Sequence, residues 1–225
     1  MNMKQRFLAC IAATQIVLAG AALQAGEITG ITWYSGVASV AGTAFLPPVA
    51  PNNDNVFGTS PNEIIVTQKD YVGIGPVDLV FDVVDSGGVT EYVVVEGVQN
   101  NTGLDWTGYH IELGFGEGDD FVKSPSGDEL DFDAPDVDSD FFFDPSPGFF
   151  PATVVSEDDI VAGGGVMADL DWAGYFRFHM DVPDGIPSFT IRQSPIPVPE
   201  PSTLGLLTAV GGIGLIVRGR RRQRA

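Results

Sequence analysis

The chain has 225 residues with 30 acidic and 11 basic side chains, a formal net charge of −19. All acidic residues lie between Glu27 and Glu200, and the only basic residues in that range are Lys69, Lys123, Arg177 and Arg192. Four basic against 30 acidic side chains give this range a formal charge of −26. Such a charge argues against nucleic acid and anionic membrane surfaces as partners, because both would repel it. Divalent cations and a hydrated matrix fit better, and an acidic surface that keeps the protein soluble is the simplest interpretation.

Residues 1–25 are typical of a secretory signal peptide. Lys4 and Arg6 precede a short apolar run, and small residues close it near Ala25, with cleavage after Ala22 as an alternative. The single cysteine, Cys10, lies inside this segment, and too few apolar residues precede it for a lipoprotein signal. Removal of the segment would leave neither a disulfide nor a thiol nucleophile.

The range 26–194 predicts β-strands, because it lacks helical periodicity and alternates β-prone runs with Gly, Pro, Asn and Asp. Three runs place apolar residues on one face by alternation. These inward positions are Val77, Leu79, Phe81 and Val83, then Tyr109, Ile111, Leu113 and Phe115, and finally Phe176, Phe178, Met180 and Val182. Roughly eight to ten strands of this spacing predict an all-β fold, a single β-sandwich or jelly roll.

Two local features lie within this range. A turn at Ser86–Gly88 predicts that the run beginning at Thr90 returns as the hairpin partner of the run before it. The sequences LDWTGY (104–109) and LDWAGY (170–175) match at five of six positions, each just before a strand. We interpret both as turns that carry a tryptophan onto the edge of the core.

The sequence gives little sign of catalysis, and we predict a protein that is not an enzyme. His110 and His179 are the only histidines, both on the polar faces of predicted strands, and no nucleophile elbow, HExxH motif or phosphate loop is present. A metal shared by the two histidines with Glu112 or Asp181 is conceivable, but solvated side chains are the preferred interpretation. Paired carboxylates could support glycoside hydrolysis, yet 30 acidic residues give that signal no specificity.

Calcium is the better chemical hypothesis. Asp136, Asp138 and Asp140 alternate within an acidic stretch, as at the start of a calcium loop. Phe141 stands where an EF-hand needs glycine, and Pro147 stands where it needs a bidentate glutamate. The prediction is therefore a looser calcium site or, alternatively, an acidic surface loop.

The range 195–225 has three parts. A proline-bracketed motif comes first, made of Val198, Pro199, Glu200, Pro201 and Ser202. An apolar segment of about 15 residues follows at 203–217 and would span about 22 Å as a helix, against about 30 Å for a bilayer core. The basic end at 218–224 contributes Arg218, Arg220, Arg221, Arg222 and Arg224. This arrangement favours a temporary stop in the inner membrane, arginines in the cytoplasm, with an extended peptide outside for a protease.

The three parts together resemble the PEP-CTERM sorting signal of Gram-negative bacteria. That resemblance implies recognition by an exosortase, a membrane protease, and cleavage near Pro-Glu-Pro. It also implies delivery to the cell surface or the exopolysaccharide layer, often in biofilm-forming bacteria. Most of the range 52–182, with the sequences PNNDNVF and TEYVVVEGVQNNTG, resembles the choice-of-anchor F type of domain, and this resemblance implies no defined catalytic activity.

These expectations describe an exported structural protein of the cell surface or extracellular matrix. A retained single-pass anchor is the alternative for the tail. For the body, the first alternative is a carbohydrate-binding adhesin that stacks sugars on Trp33, Tyr34, Trp106 or Trp172. The second is a secreted hydrolase, which would need two carboxylates of perturbed acidity in a cleft.

Overall fold

A computed structural model describes residues 26–45, 62–85, 89–132, 150 and 152–199. These residues form thirteen strands and one short 3-10 helix at Gly118–Asp120. The strands are β1 (Gly26–Tyr34), β2 (Ala38–Val40), β3 (Thr43–Phe45), β4 (Glu63–Tyr71), β5 (Val77–Asp85), β6 (Thr90–Asn100), β7 (Trp106–Phe115), β8 (Val122–Lys123), β9 (Asp131–Phe132), β10 (Ala152–Ser156), β11 (Asp159–Met167), β12 (Trp172–Val182) and β13 (Ser188–Pro197).

The strands form two sheets, which confirms the all-β prediction. The first sheet has the order β1-β5-β13-β7-β11-β10, with β8 added beside β7. The second has the order β2-β4-β6-β12-β9, with β3 added beside β4. The described strand pairs are antiparallel except for β4 and β6, which run parallel.

One hydrophobic core lies between the two sheets. The predicted inward residues of β5, β7 and β12 are buried in it, and Phe115 packs at its edge. Aromatic rings connect the layers, since Tyr109 of the first sheet stacks on Phe176 of the second with ring centroids 5.0 Å apart. Within the first sheet, Phe81 stacks on Phe189 at 4.8 Å. The alternation of the sequence therefore predicted the core faces correctly.

The predicted β5–β6 hairpin is wrong. Strand β5 pairs with β1 on one side and β13 on the other, whereas β6 lies between β4 and β12 in the second sheet. Because both edges of β5 are occupied, the chain passes to the other sheet, where β6 is covered on both faces along most of its length. The turn residues 86–88 lie outside the described residues.

Several sequence predictions fall outside the described residues and stay predictions. They concern the signal peptide at 1–25, the calcium ligands Asp136, Asp138 and Asp140, and the range 200–225 with its apolar segment and arginines. Within the part of the chain that the structure describes, no helix has the length and apolar character needed to cross a membrane.

Candidate functional site

The first candidate site is the junction where the folded body meets the C-terminal motif. Strand β13 pairs with β5 from Ser188 to Gln193 and with β7 from Thr190 to Pro197. Beyond Gln193 the edge that faced β5 has no pairing partner among the described strands. Pro195 and Pro197 occupy this half-paired end, where a missing backbone N–H is tolerated.

Hydrogen bonds hold the chain to the body as far as Val198. The Val198 N–H donates to the carbonyl of Asp105 at 2.8 Å. The Thr107 hydroxyl lies 3.3 Å from the Ile196 carbonyl and 3.4 Å from the Pro197 carbonyl. The fold therefore reaches into the first positions of the predicted tail.

The predicted motif begins at this point. Val198 and Pro199 are both exposed. Glu200, Pro201 and Ser202 lie outside the described residues, as do all five arginines of the basic end. The structure thus places Val198 and Pro199, the beginning of the motif, at the surface, and among the described residues Val198 is the last whose backbone N–H donates to the body.

The two Leu-Asp-Trp turns lie side by side next to this junction. The Gly103 N–H donates to Asp169 at 2.8 Å, and the Asp169 N–H donates to the Asp105 carboxylate at 3.1 Å. The Asn100 side-chain amide binds three carbonyls across both turns, those of Leu104, Met167 and Ala168. Because the Asp105 carbonyl holds Val198, these contacts fix the place where the tail leaves the body.

The aromatic residues predicted for sugar binding do not form one surface. Trp106 is fully buried, so its assignment as a stacking platform is wrong; the aromatic core rings cover it. Trp33, Tyr34 and Trp172 are 47%, 54% and 54% exposed. Trp33 and Tyr34 belong to β1 of the first sheet, whereas Trp172 begins β12 of the second. The exposed rings therefore do not line up on one sheet.

The two histidines lie in different sheets and do not form a shared metal site. His110 is partly exposed on β7, with Nε2 2.9 Å from Asp159 and Nδ1 3.7 Å from Glu112. His179 was expected to be solvated, but it is fully buried on β12, with Nδ1 2.6 Å from Glu91. It lies on the strand face opposite the core, as the alternation predicted, so only its solvation was wrong.

His110, Glu112 and Asp159 form a second candidate metal site. Their ligand atoms lie within 4.8 Å of one another, which is compatible with a divalent cation. The Lys123 ammonium already contacts Asp159 and would compete with a bound cation. We therefore interpret the cluster as a group of surface ion pairs, in which Glu112 and Asp159 lie on either side of the His110 imidazole.

Asp158 is the feature that bears on the hydrolase alternative. Its pKa is raised to about 6, mainly by burial and also by the neighbouring Glu157 charge, against the opposing effect of Lys123. The side chain lies in the tight turn between β10 and β11. The backbone carbonyl of this residue accepts a hydrogen bond from Leu113 at 3.1 Å, which ties the turn to β7. The position of Asp158 in this turn accounts for its burial and therefore for its raised pKa.

A third site was missed by the sequence reasoning: a polar cluster inside the sandwich. Lys69, Glu96 and Gln193 are all 0–1% exposed. The Lys69 ammonium lies 2.7 Å from a Glu96 carboxylate oxygen, and the Gln193 amide donates to the same oxygen at 2.8 Å. Tyr109 donates to the other end of the Gln193 amide at 3.1 Å, and its hydroxyl lies 2.9 Å from that of Tyr71.

Burial is the main cause of the shifted pKa values of Lys69, Tyr71 and Tyr109. It lowers the pKa of Lys69 to about 8, against the opposing charge and hydrogen bond of Glu96. It raises the pKa values of Tyr71 and Tyr109 well above that of free tyrosine. A lysine in this environment is much closer to its neutral, nucleophilic form than an exposed lysine.

The sequence contained one of the two signals needed to find this cluster. Glu96 is in phase with Tyr92, Val94 and Val98 on the inner face of β6, so strict alternation places it inside. Lys69 is different, because the β4–β6 register shifts between Val66 and Lys69. This register shift turns the lysine toward the core, and no residue in the sequence predicts it.

Comparison with known proteins identifies only the C-terminal part. Residues 197–222 match the family model of the PEP-CTERM protein-sorting motif. No curated protein and no solved structure matches the chain. The motif indicates export, transient membrane anchoring through the C-terminal segment, and processing by an exosortase, a membrane protease. The chain therefore carries a PEP-CTERM protein-sorting motif at residues 197–222, starting at the last residue of β13, and this motif indicates an exosortase-sorted surface protein.

Proposed function

We propose that this protein is a non-enzymatic structural component of the cell surface or extracellular matrix of a Gram-negative bacterium. Its C-terminal signal is cleaved near Pro199-Glu200-Pro201, and the released sandwich associates with exopolysaccharide in a biofilm. One observation carries the proposal: the matched motif starts at Pro197, the last residue of β13, and among the described residues the Val198 N–H is the last backbone donor to the body. The exposed Val198 and Pro199 would therefore let a protease reach the start of the motif without unfolding the two-sheet body.

The body itself supports a role in a hydrated matrix. The strong negative charge between Glu27 and Glu200 keeps the sandwich soluble and repels other polyanions. Association with exopolysaccharide would then depend on a neutral or cationic polymer, or on bridging divalent cations. The exposed rings of Trp33, Tyr34 and Trp172 favour sugar contacts as a second candidate function, on separate surfaces instead of one platform.

Mass spectrometry of the protein recovered from cells tests the sorting. The full chain is produced in a bacterium that has an exosortase and in the same strain without it. We expect the surface-exposed protein of the first strain to lack Arg224, and the second strain to retain the full C-terminus in its membrane fraction. A surface protein that still carries Arg224 in the presence of the protease contradicts the proposal.

A pair of matched variants separates motif recognition from folding. Glu200→Gln removes the charge between the two prolines and is expected to leave uncleaved protein in the membrane. Glu117→Gln removes one charge from an exposed position on the body and is expected to be processed normally. Equal processing of both variants would show that the acidic residue of the motif is not read.

A further inference from the structure

The buried polar cluster brings together an amine, a carboxylate and a carboxamide. The Lys69 Nζ and the Gln193 Nε2 both contact Oε2 of Glu96, at 2.7 and 2.8 Å. The amine nitrogen and the carboxamide nitrogen therefore approach the same oxygen and are no farther apart than these two contacts added together. A single carboxylate in that position can take a proton from one nitrogen and deliver it to the other.

The carbonyl end of the same carboxamide is also held. The Tyr109 hydroxyl donates to Oε1 of Gln193 at 3.1 Å. The Tyr71 hydroxyl lies 2.9 Å from that of Tyr109 and 3.2 Å from the Gln193 backbone carbonyl. A fixed phenol donor in a buried site polarises the carbonyl and stabilises negative charge that develops on its oxygen.

Stability alone gives no good reason for this arrangement. A buried ion pair is often no better than an apolar pair of the same volume, because desolvation offsets the attraction. Among the described residues, neither the Glu96 Oε1 atom nor the Lys69 Nζ atom has a hydrogen-bond partner, although Nζ lies 2.7 Å from Oε2 as an ion pair. The main stabilising contact of the Lys69 ammonium besides Glu96 is the face of the Tyr109 ring, whose centroid lies 5.5 Å away.

We propose that Lys69 and Gln193 form an intramolecular amide bond, with Glu96 as the proton carrier and Tyr109 as the donor to the carbonyl oxygen. The three side chains are contributed by β4, β6 and β13, so the bond would join the second sheet to the first. No other reactant is required.

The step balances without an oxidant or a cofactor. The Lys69 ammonium gives one proton to Glu96, and the neutral Nζ attacks Cδ of Gln193, so that negative charge develops on Oε1 beside Tyr109. A second proton moves from Nζ through Glu96 to Nε2. The Cδ–Nε2 bond then breaks, ammonia leaves, and the Nζ–Cδ amide remains beside a protonated Glu96. Two opposite charges disappear from the core, which removes their desolvation cost.

The position of the bond gives it a mechanical role. Strand β13 is the strand that leads directly into the exposed Val198, so a pull on the C-terminal segment loads β13 first. An amide between Gln193 and Lys69 would prevent β13 from being stripped from the sandwich. This consequence concerns the body alone and does not depend on how the C-terminal segment is processed.

Mass spectrometry of the purified full chain tests the proposal. We expect its intact mass to lie about 17 Da below the mass calculated from the sequence of the same chain, the loss of one ammonia. A tryptic digest should yield one branched peptide that joins the segments around Lys69 and Gln193, with no cleavage after Lys69. Separate, unmodified peptides for the two residues would overturn the proposal. A loss of water with a bond from Lys69 to Glu96 would overturn it as well.

Variants assign the roles of the individual groups. Glu96→Gln removes the proton carrier and Lys69→Met removes the amine, and both are expected to abolish the ammonia loss. Lys123→Met is the matched control, since Lys123 is on the surface, and it should crosslink like the native chain. Tyr109→Phe should slow bond formation roughly 100-fold, the usual effect of losing one such donor. Where a variant fails to fold, the peptide map of the native chain still decides the question.

Discussion

The two Leu-Asp-Trp turns share the same letters but play different structural roles. Trp106, in the first turn, is fully buried and meets Tyr71 edge to face with ring centroids 5.3 Å apart. Trp172, in the second turn, is 54% exposed. The first begins β7, between β11 and β13, whereas the second begins β12 in the other sheet. The sheet that follows a turn, and not the turn's own sequence, decides where its tryptophan points.

The backbones of the two turns also differ. In the first, Gly103 takes the left-handed conformation, with φ +76°. In the second, Leu170 takes it, with φ +70°, as the third residue of a turn closed by a 3.1 Å bond from Asp171 N–H to the Ala168 carbonyl. A left-handed third residue normally calls for glycine or asparagine. The second turn therefore carries backbone strain that the first avoids.

The largest effect is expected from Trp106→Ala. The substitution removes a fully buried indole and its hydrogen bond to the Thr102 hydroxyl, 3.1 Å long. We expect the free energy of unfolding to fall by about 3–5 kcal/mol, the usual cost of emptying such a site. Urea unfolding followed by tyrosine and tryptophan fluorescence measures it. A loss below 1 kcal/mol would mean that the core collapses around the missing ring.

Asn100→Ala should have the next largest effect, because it disconnects the two turns. The buried side chain donates to three backbone carbonyls at 2.9, 3.2 and 3.0 Å. Its oxygen also accepts bonds from Thr102. Leaving those carbonyls unsatisfied is expected to cost about 1–3 kcal/mol.

Hydrogen exchange locates the effect of Asn100→Ala. The amides of Gly103 and Asp169, which bond across the two turns, should exchange faster in the variant, while the centre of β6 stays protected. Asn101→Ala is the control, since that residue is exposed and makes only a backbone bond in the described contacts. Uniform loss of protection throughout β6 would argue against a local connection.

The fold was predictable to the extent that alternation determines it. Alternating apolar residues predicted a buried face in each of two runs, Val77 to Val83 and Phe176 to Val182, and those faces form part of the core. Pairing was not predictable, because the partner of β5 depends on β13, more than a hundred positions later in the chain. The buried position of Lys69 was not predictable for a related reason. The register shift that turns it inward forms only when β4 pairs with β6.

The residues of the C-terminal sorting motif were predictable from the sequence, but the contacts that attach the motif to the folded body were not. The Pro-Glu-Pro motif and its apolar and basic continuation are local sequence, and the family comparison confirmed them. The bond from Val198 to Asp105 joins segments far apart in the chain, so no local pattern reports it. Trp106 and Trp172 show the same limit, because burial is a property of the assembled sheets.

Leu170→Gly should stabilise the protein and so sharpen the contrast between the turns. Glycine removes the side chain from a left-handed position, and the 72% exposed leucine loses little packing. We expect a gain of about 0.5–1 kcal/mol, the strain relief less the added chain entropy. Gly103→Ala, at the left-handed position of the first turn, should lose about 1 kcal/mol, although nothing lies within 4 Å of the added carbon. Thermal unfolding of both variants tests the pair, and shifts of the same sign would refute the assignment of strain.

The smallest effect is expected from Trp172→Ala. Half of the ring is already in water, and the backbone pairing of Trp172 with Gln99 does not depend on the side chain. The free energy of unfolding should therefore change by less than about 0.5 kcal/mol, as for most surface substitutions. Because the fold is preserved, the same variant isolates any contribution of this ring to sugar binding, which Trp106→Ala could not do. A loss above about 1 kcal/mol would mean that the second tryptophan packs like the first, and that the two turns differ in backbone conformation alone.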